Sequence, residues 1–225
     1  MSRSTSRTTG RPTLAEVARL SGVSPITVSR ALRGVATVAP ALVEKVRAAA
    51  AELGYVANPA ARALASAQSQ SVVVLIPSLS NQLFVETLDA IHDVLRPRGL
   101  EVLIGNYHYD AAIEENLIRN YLAYQPRGLL LTGFERSEAA RQMLAASRVP
   151  CVHMMELGGE PGACSVGFSQ EDAGRAVARH LLERGRRRLG FIAAQLDARV
   201  MQRAAGFRQG LADAGLYDPA LELLV

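Results

Sequence analysis

From Val72 onward, short apolar runs alternate with stretches of helical period, and this alternation narrows the choice of fold more than any other feature of the chain. The spacing predicts strands over residues 72–76, 102–104, 128–131, 151–155 and 189–193. Between and after them it predicts helices over 82–95, 111–124, 137–146, 170–184 and 200–214. The first run, Val72-Val73-Val74-Leu75-Ile76, has no polar interruption, as expected of a strand buried on both faces. Strands that take turns with helices pair in parallel, because each crossover helix returns the chain to the same end of the sheet. The expected class is α/β, with a parallel sheet covered on both faces.

The first third of the chain has a different rhythm. Residues 1–12 are Ser, Thr, Arg and Gly with Pro12, and read as a disordered arm. Thr13 can cap a helix, with Glu16 three residues on as its capping-box partner. Leu14, Val17, Ala18 and Leu20 would form the apolar face, and Gly22 stands where a helix stops. Ser24 caps a second helix with Pro25 at its first position, where no N–H is needed. A third helix spans 40–53 and stops at Gly54; Ala39 before it offers no side-chain oxygen as a cap. A short Ala-rich helical stretch at 60–65 leads into a polar linker.

Charge follows the same division. Residues 1–70 hold nine Arg or Lys and three Glu, a net of +6, whereas 71–225 hold sixteen Arg and eighteen Asp or Glu, a net of −2. A basic head on a slightly acidic body suits a polyanionic partner, although a solvated basic tail would give the same count. The longest apolar runs are too short to span a bilayer, and no apolar stretch follows the N-terminal arginines as in a secretory signal, so a cytoplasmic protein without membrane contact is expected. Cys151 and Cys164 have neither metal nor redox spacing, and the four histidines are scattered; no metal site, catalytic residue or cofactor is expected.

Two short helices joined through Ser21-Gly22-Val23 make a helix-turn-helix, in which the N-terminal part of the second helix enters the major groove. Ile26, Thr27 and Arg30 would then face bases, and Ser24 and Ser29 phosphates. Arg30 can offer a bidentate fork to guanine, while Ile26 and the Thr27 methyl can meet thymine methyls. A small helical bundle with no nucleic-acid partner is the alternative.

Thr13-Leu14-Ala15-Glu16-Val17-Ala18, the segment Gly22 to Leu32, Leu53-Gly54-Tyr55 and Asn58-Pro59 together resemble the lactose-repressor family. Pro77 to Gln82, Val166-Gly167-Phe168 and Arg203-Ala204-Ala205-Gly206-Phe207 resemble the gluconate-operon repressors within it. The resemblance implies a homodimer on double-stranded operator DNA and a sensor of the periplasmic-binding-protein type. It adds Thr13 and Pro25 to the DNA-facing set. It makes residues 60–65 a hinge helix whose Leu64 wedges into the minor groove, with Ala61 beside it and Asn58 on the backbone. A helix that short is unstable alone, so folding on DNA is physically reasonable, although a plain linker helix is the simpler possibility. The implied effector is a sugar acid such as gluconate, held by Asn81, Phe84, Glu156 and Arg203, each of which could instead be a structural residue.

The expected organisation is therefore an arm (1–12), a helix-turn-helix domain (13–58), a hinge and linker (59–71), a sensor N-subdomain (72–160) and a partial C-subdomain (161–225). Family members continue beyond this point, so the C-subdomain is expected to be incomplete. The expected function is a transcriptional repressor released by its effector. A transport solute-binding protein would share the body but needs no basic head. A sugar-acid enzyme would need an acid, base or metal cluster that the sequence does not display.

Overall fold

The computed structural model describes residues 12–57, 69–158 and 162–225. The chain divides into two compact units, Met1–Ser66 and Ala67–Val225. The expected arm, most of the hinge and linker, and the hinge helix at 60–65 lie outside the described residues.

The first unit is three helices, α1 (Leu14–Ser21), α2 (Pro25–Leu32) and α3 (Pro40–Glu52). Both predicted caps form. The Thr13 hydroxyl accepts from the Glu16 N–H at 3.3 Å, and the Glu16 carboxylate accepts from the Thr13 N–H at 2.7 Å. That backbone bond, with the Thr13 hydroxyl, holds the Glu16 carboxyl below its usual range. Ser24 accepts from the Thr27 N–H at 3.2 Å, and Gly22 ends α1 at φ 67°, in the left-handed region where a β-carbon is disfavoured. Ala39 caps α3 with no side-chain bond. Val17, Ala18, Val28, Ala31, Val46, Ala49 and Ala50 form a core of small side chains that lets the three helices approach closely. Leu20, expected on the apolar face of α1, is exposed.

The second unit begins with five parallel strands in the order β2-β1-β3-β4-β5, namely β1 (Ser71–Ile76), β2 (Glu101–Asn106), β3 (Gly128–Thr132), β4 (Cys151–Met154) and β5 (Cys164–Val166). The crossovers run through α4 (Gln82–Leu95), α5 (Ala111–Leu122) and α6 (Glu138–Ser147). Residues of β1 point alternately into two cores. Val73 and Leu75 pack with Ile118, Leu129 and Leu131; Val74 and Ile76 pack with Phe84, Leu88 and Met154. Each such aliphatic side chain contributes about 1.5–3 kcal/mol by leaving water, which is why β1 reads as an unbroken apolar run.

Strand β5 has no counterpart in the sequence reading, which placed residues 164–166 beyond the boundary of the first subdomain. The strand pairs with β4, Val152 opposite Cys164, and so completes the first sheet. Two further helices, α7 (Gln170–Glu183) and α8 (Ala198–Ala212), pack around Ala178, Phe207 and Leu211, beside the parallel pair β6 (Phe191–Ala193) and β7 (Glu222–Leu224). Gly174 and Gly206 face each other's helices so closely that a β-carbon on either would collide with the backbone of Arg203 or Glu171. No helix among the described residues is long and apolar enough to cross a membrane.

Candidate functional site

The strand order reverses direction between β1 and β3, and in open α/β sheets the crevice beyond the C-terminal ends of the strands at such a point receives ligands. A cavity of about 510 Å³ lies there. Its walls come from the segments that follow four strands: Tyr107 and Tyr109 after β2, Gly133 to Ser137 after β3, Glu156 after β4, and Gln195 to Arg199 after β6. Tyr109 and Gln195 hold positive φ angles of 59° and 61°, a conformation that non-glycine residues adopt at a cost and that collects at ligand sites.

The cavity is lined by charge. Arg136 and Glu114 lie 3.5 Å apart, each side chain 3% exposed. Arg136 also donates to the Gly133 carbonyl at 3.0 Å and the Phe134 carbonyl at 3.4 Å. Burial pushes the Glu114 carboxyl up, and Arg136 draws it part of the way back. Burial, reinforced by Glu114, likewise pushes the Tyr107 phenol well up, so that it stays a neutral donor. Arg199 donates to Asp197 at 2.7 Å, and Asp197 caps α8 through the Val200 N–H at 2.9 Å. Glu156 is 5% exposed and accepts from the Phe134 N–H at 3.1 Å and the Gln202 amide at 3.0 Å. His153 stacks on Phe134 with ring centroids 4.2 Å apart and reaches the Gly133 carbonyl through Nδ1 at 2.9 Å.

In the first unit, the N-terminal turn and exposed face of α2 carry a surface of a different kind. Ile26 is 65% exposed, with Ser24, Pro25 and Arg30 also exposed and Thr27 and Ser29 half-buried. Val28 and Ala31, on the opposite side of the same helix, are buried. The Ser24 and Thr27 hydroxyls bond each other at 2.9 Å, which holds this turn in one arrangement.

The pattern of the lacI family of bacterial regulatory proteins matches residues 13–58, and that of the periplasmic binding proteins and sugar binding domain of LacI family matches residues 69–223. The chain belongs to the LacI family. Over 218 residues it is 71% identical to the HTH-type transcriptional regulator GntR of Pseudomonas aeruginosa, which covers 97% of this chain and 64% of that protein. A LacI-family transcriptional regulator from Silicibacter pomeroyi superposes with a TM-score of 0.85 at 41% identity, over 95% of this chain and 64% of that one. The lac repressor dimer bound to operator and the anti-inducer ONPF superposes with a TM-score of 0.77 at 28% identity, over 95% of this chain and 65% of that one. This LacI-family chain thus spans about two thirds of the length of the relatives it matches.

The four expected effector residues of this LacI-family chain do not converge. Glu156 lines the cavity. Phe84 does not; it is 3% exposed in the core with Val74 and Ile76, because its position on the first turn of α4 points it under the sheet rather than over the strand ends. Asn81 is exposed and caps α4 by accepting from the Leu83 N–H at 3.1 Å. Arg203 donates to Gln170, whose amide in turn donates to the Met155 carbonyl at 2.6 Å, and it does not line the cavity. Tyr107, Glu114, Arg136, Asp197 and Arg199 line it and were missed. The rule about strand ends would have found them had it been applied after β2, β3 and β6 as well as after β1 and β4. Of the expected DNA-facing residues, Asn58, Ala61 and Leu64 lie outside the described residues.

Proposed function

We propose that this protein is a transcriptional regulator that binds operator DNA as a homodimer through α2 and leaves it when a small sugar acid, such as gluconate, occupies the sensor cavity. The observation that carries the DNA half is an exposed apolar side chain, Ile26 at 65% exposure in the first turn of a capped helix, with the exposed Arg30 one turn further along the same helix. An apolar group and a cationic fork at that place match the methyl and acceptor pattern of the major groove. The name of the Pseudomonas relative and the operator in the lac repressor structure support the same reading. Cytoplasmic location follows from this role.

Asn58, Ala61 and Leu64 complete the proposal as a hinge that folds on DNA and kinks it. Release follows if the effector favours the sensor conformation in which two hinges cannot form together, and reciprocity then requires operator to weaken effector binding by the same factor. Calorimetry of the intact gene product with gluconate, with and without a palindromic operator, tests this. Weaker binding in the presence of operator is expected; equal affinity in both conditions rejects release by this ligand. Footprinting that protects a single asymmetric half-site rejects the dimer.

A further inference from the structure

Residues 179–188 hold five Arg and one Glu, a net of +4, while the rest of 71–225 holds eleven Arg and seventeen Asp or Glu, a net of −6. A strongly basic stretch is thus set in an acidic body, which concentrates its attraction for anions at one place. Arg179 lies near the end of α7, Arg184 caps that helix, and Arg186, Arg187 and Arg188 follow in the segment that leads to β6. All five are exposed. They precede β6, whereas the cavity segment Gln195 to Arg199 follows it, so patch and cavity lie at opposite ends of that strand.

The ordinary uses of such arginines are taken by other groups. Cations after a helix commonly serve its last carbonyls. Here the backbone does so: the N–H groups of Arg184, Gly185 and Arg186 donate to the His180, Leu182 and Leu181 carbonyls at 3.1, 2.9 and 3.0 Å. Nor are the guanidiniums spent on ion pairs. Arg175, one turn before Arg179, pairs with Glu171 and Asp172, and Arg208 pairs with Glu222. The five arginines of the patch make no side-chain hydrogen bond or ion pair among the described residues. Of the second unit's other eleven arginines, only Arg96 and Arg148 share that condition.

The chemistry of the patch selects its partner. Protein interfaces centre on aromatic or aliphatic anchors and are poor in charge at their core. From 184 to 188 every residue is Arg except Gly185, and Leu181 and Leu182 just before them pack into the core with Phe207 and Leu211. Charges without an anchor suit a polyanion met through its backbone, where charge counts and sequence does not. We infer that this end of the sensor is a second, sequence-independent DNA-binding surface, which takes the phosphate backbone of a duplex independently of α2.

The test uses the intact gene product saturated with a short palindromic operator duplex, to which a fluorescent duplex of random sequence is added. Three variants accompany wild type, each checked for native circular dichroism: Arg186→Gln/Arg187→Gln/Arg188→Gln, the same three residues changed to Lys, and Arg96→Gln/Arg98→Gln/Arg119→Gln, which removes equal charge elsewhere in the body. Operator binding, read beforehand, should be the same in all four and speaks to α2 alone. Wild type is expected to bind the second duplex, with an affinity that falls roughly 100-fold between about 50 and 200 mM salt, as about four phosphate contacts require. The patch glutamine variant should lose roughly 10-fold or more at the lower salt, the lysine variant should stay within a few-fold of wild type, and the control should be unchanged. No second duplex on wild type, a patch glutamine variant as tight as wild type, or equal losses in the patch and control glutamine variants overturns the inference. A lysine variant as weak as the glutamine variant overturns the reading by charge. Poly-glutamate that displaces the labelled duplex as well as unlabelled DNA of equal charge does overturns DNA as the partner and favours an acidic protein.

Discussion

The guanidinium of Arg136 lies 3.5 Å from the carboxylate of Glu114 with both side chains shut off from solvent, and Glu114 Oε1 and Arg136 Nε have no hydrogen-bond partner among the described residues. A buried pair of this geometry is a weak source of net stability, yet each member depends on the other. Arg136→Met should therefore cost about 3–5 kcal/mol, because it leaves a buried carboxylate uncompensated. Glu114→Leu in the same protein should recover most of that loss. Urea unfolding of the three proteins checks this; a single variant no less stable than wild type would show that Glu114 already sheds its charge by taking up a proton.

Arg30 and Ser29 separate two kinds of contact on one helix. Arg30→Ala should weaken operator binding by about 1–3 kcal/mol and relax preference at one base pair, while random DNA is bound much as before. Ser29→Ala should weaken all sequences alike, since a phosphate contact carries no base identity. Binding titrations on operator and scrambled duplexes at one fixed salt concentration distinguish them. An equal loss on both duplexes for Arg30→Ala would remove it from the base-reading set.

His153 gives the sensor a dependence on acidity. Burial holds its imidazole below the usual value of 6.5, and Arg136 adds to that, against the opposing Gly133 carbonyl and Glu156. On acidification the unfolded chain takes up the proton first, so stability present above about pH 6.5 is lost as the pH falls towards the depressed folded value. The melting temperature should drop between pH 7.5 and 5.5 more steeply in wild type than in His153→Gln. Parallel curves would mean that this group titrates alike in both states.

Helix α3 begins without a side-chain cap at Ala39, whose φ of −56° and ψ of 137° are compatible with a capping residue. Ala39→Ser should stabilise the first unit by about 1 kcal/mol, measurable as a higher denaturant midpoint with unchanged slope. No change in midpoint would indicate that solvent already satisfies the first turn.

Local chemistry was readable in advance, and relationships across the fold were not. Thr13 with Glu16, Ser24 with Pro25, and the run Val72 to Ile76 declare their structure within a few residues, and each adopts it. Residues 164–166 do not: they have no unbroken apolar run, and they become a strand by lying against β4. The cavity was hidden for the same reason. Arg199 opens a helix and Arg136 follows a strand, sixty-odd residues apart, and only the folding of both segments to the same end of the sheet brings them onto one wall. Phe84 failed in the opposite sense, since a loop position near strand ends suggested exposure while the turn into α4 buried it.

Gly133 and Glu156 are locked together, and the lock has a direction in time. As long as Glu156 stands where it does, no side chain fits at position 133. A lineage that first shortened residue 156 would vacate that space, and asparagine, which tolerates positive φ, could then settle at 133. From there the original glutamate could return only by swinging its carboxylate off the Phe134 N–H and the Gln202 amide, because it would otherwise meet the new side chain. The contact acts as a ratchet: a change in what the sensor detects would be easier to make than to undo.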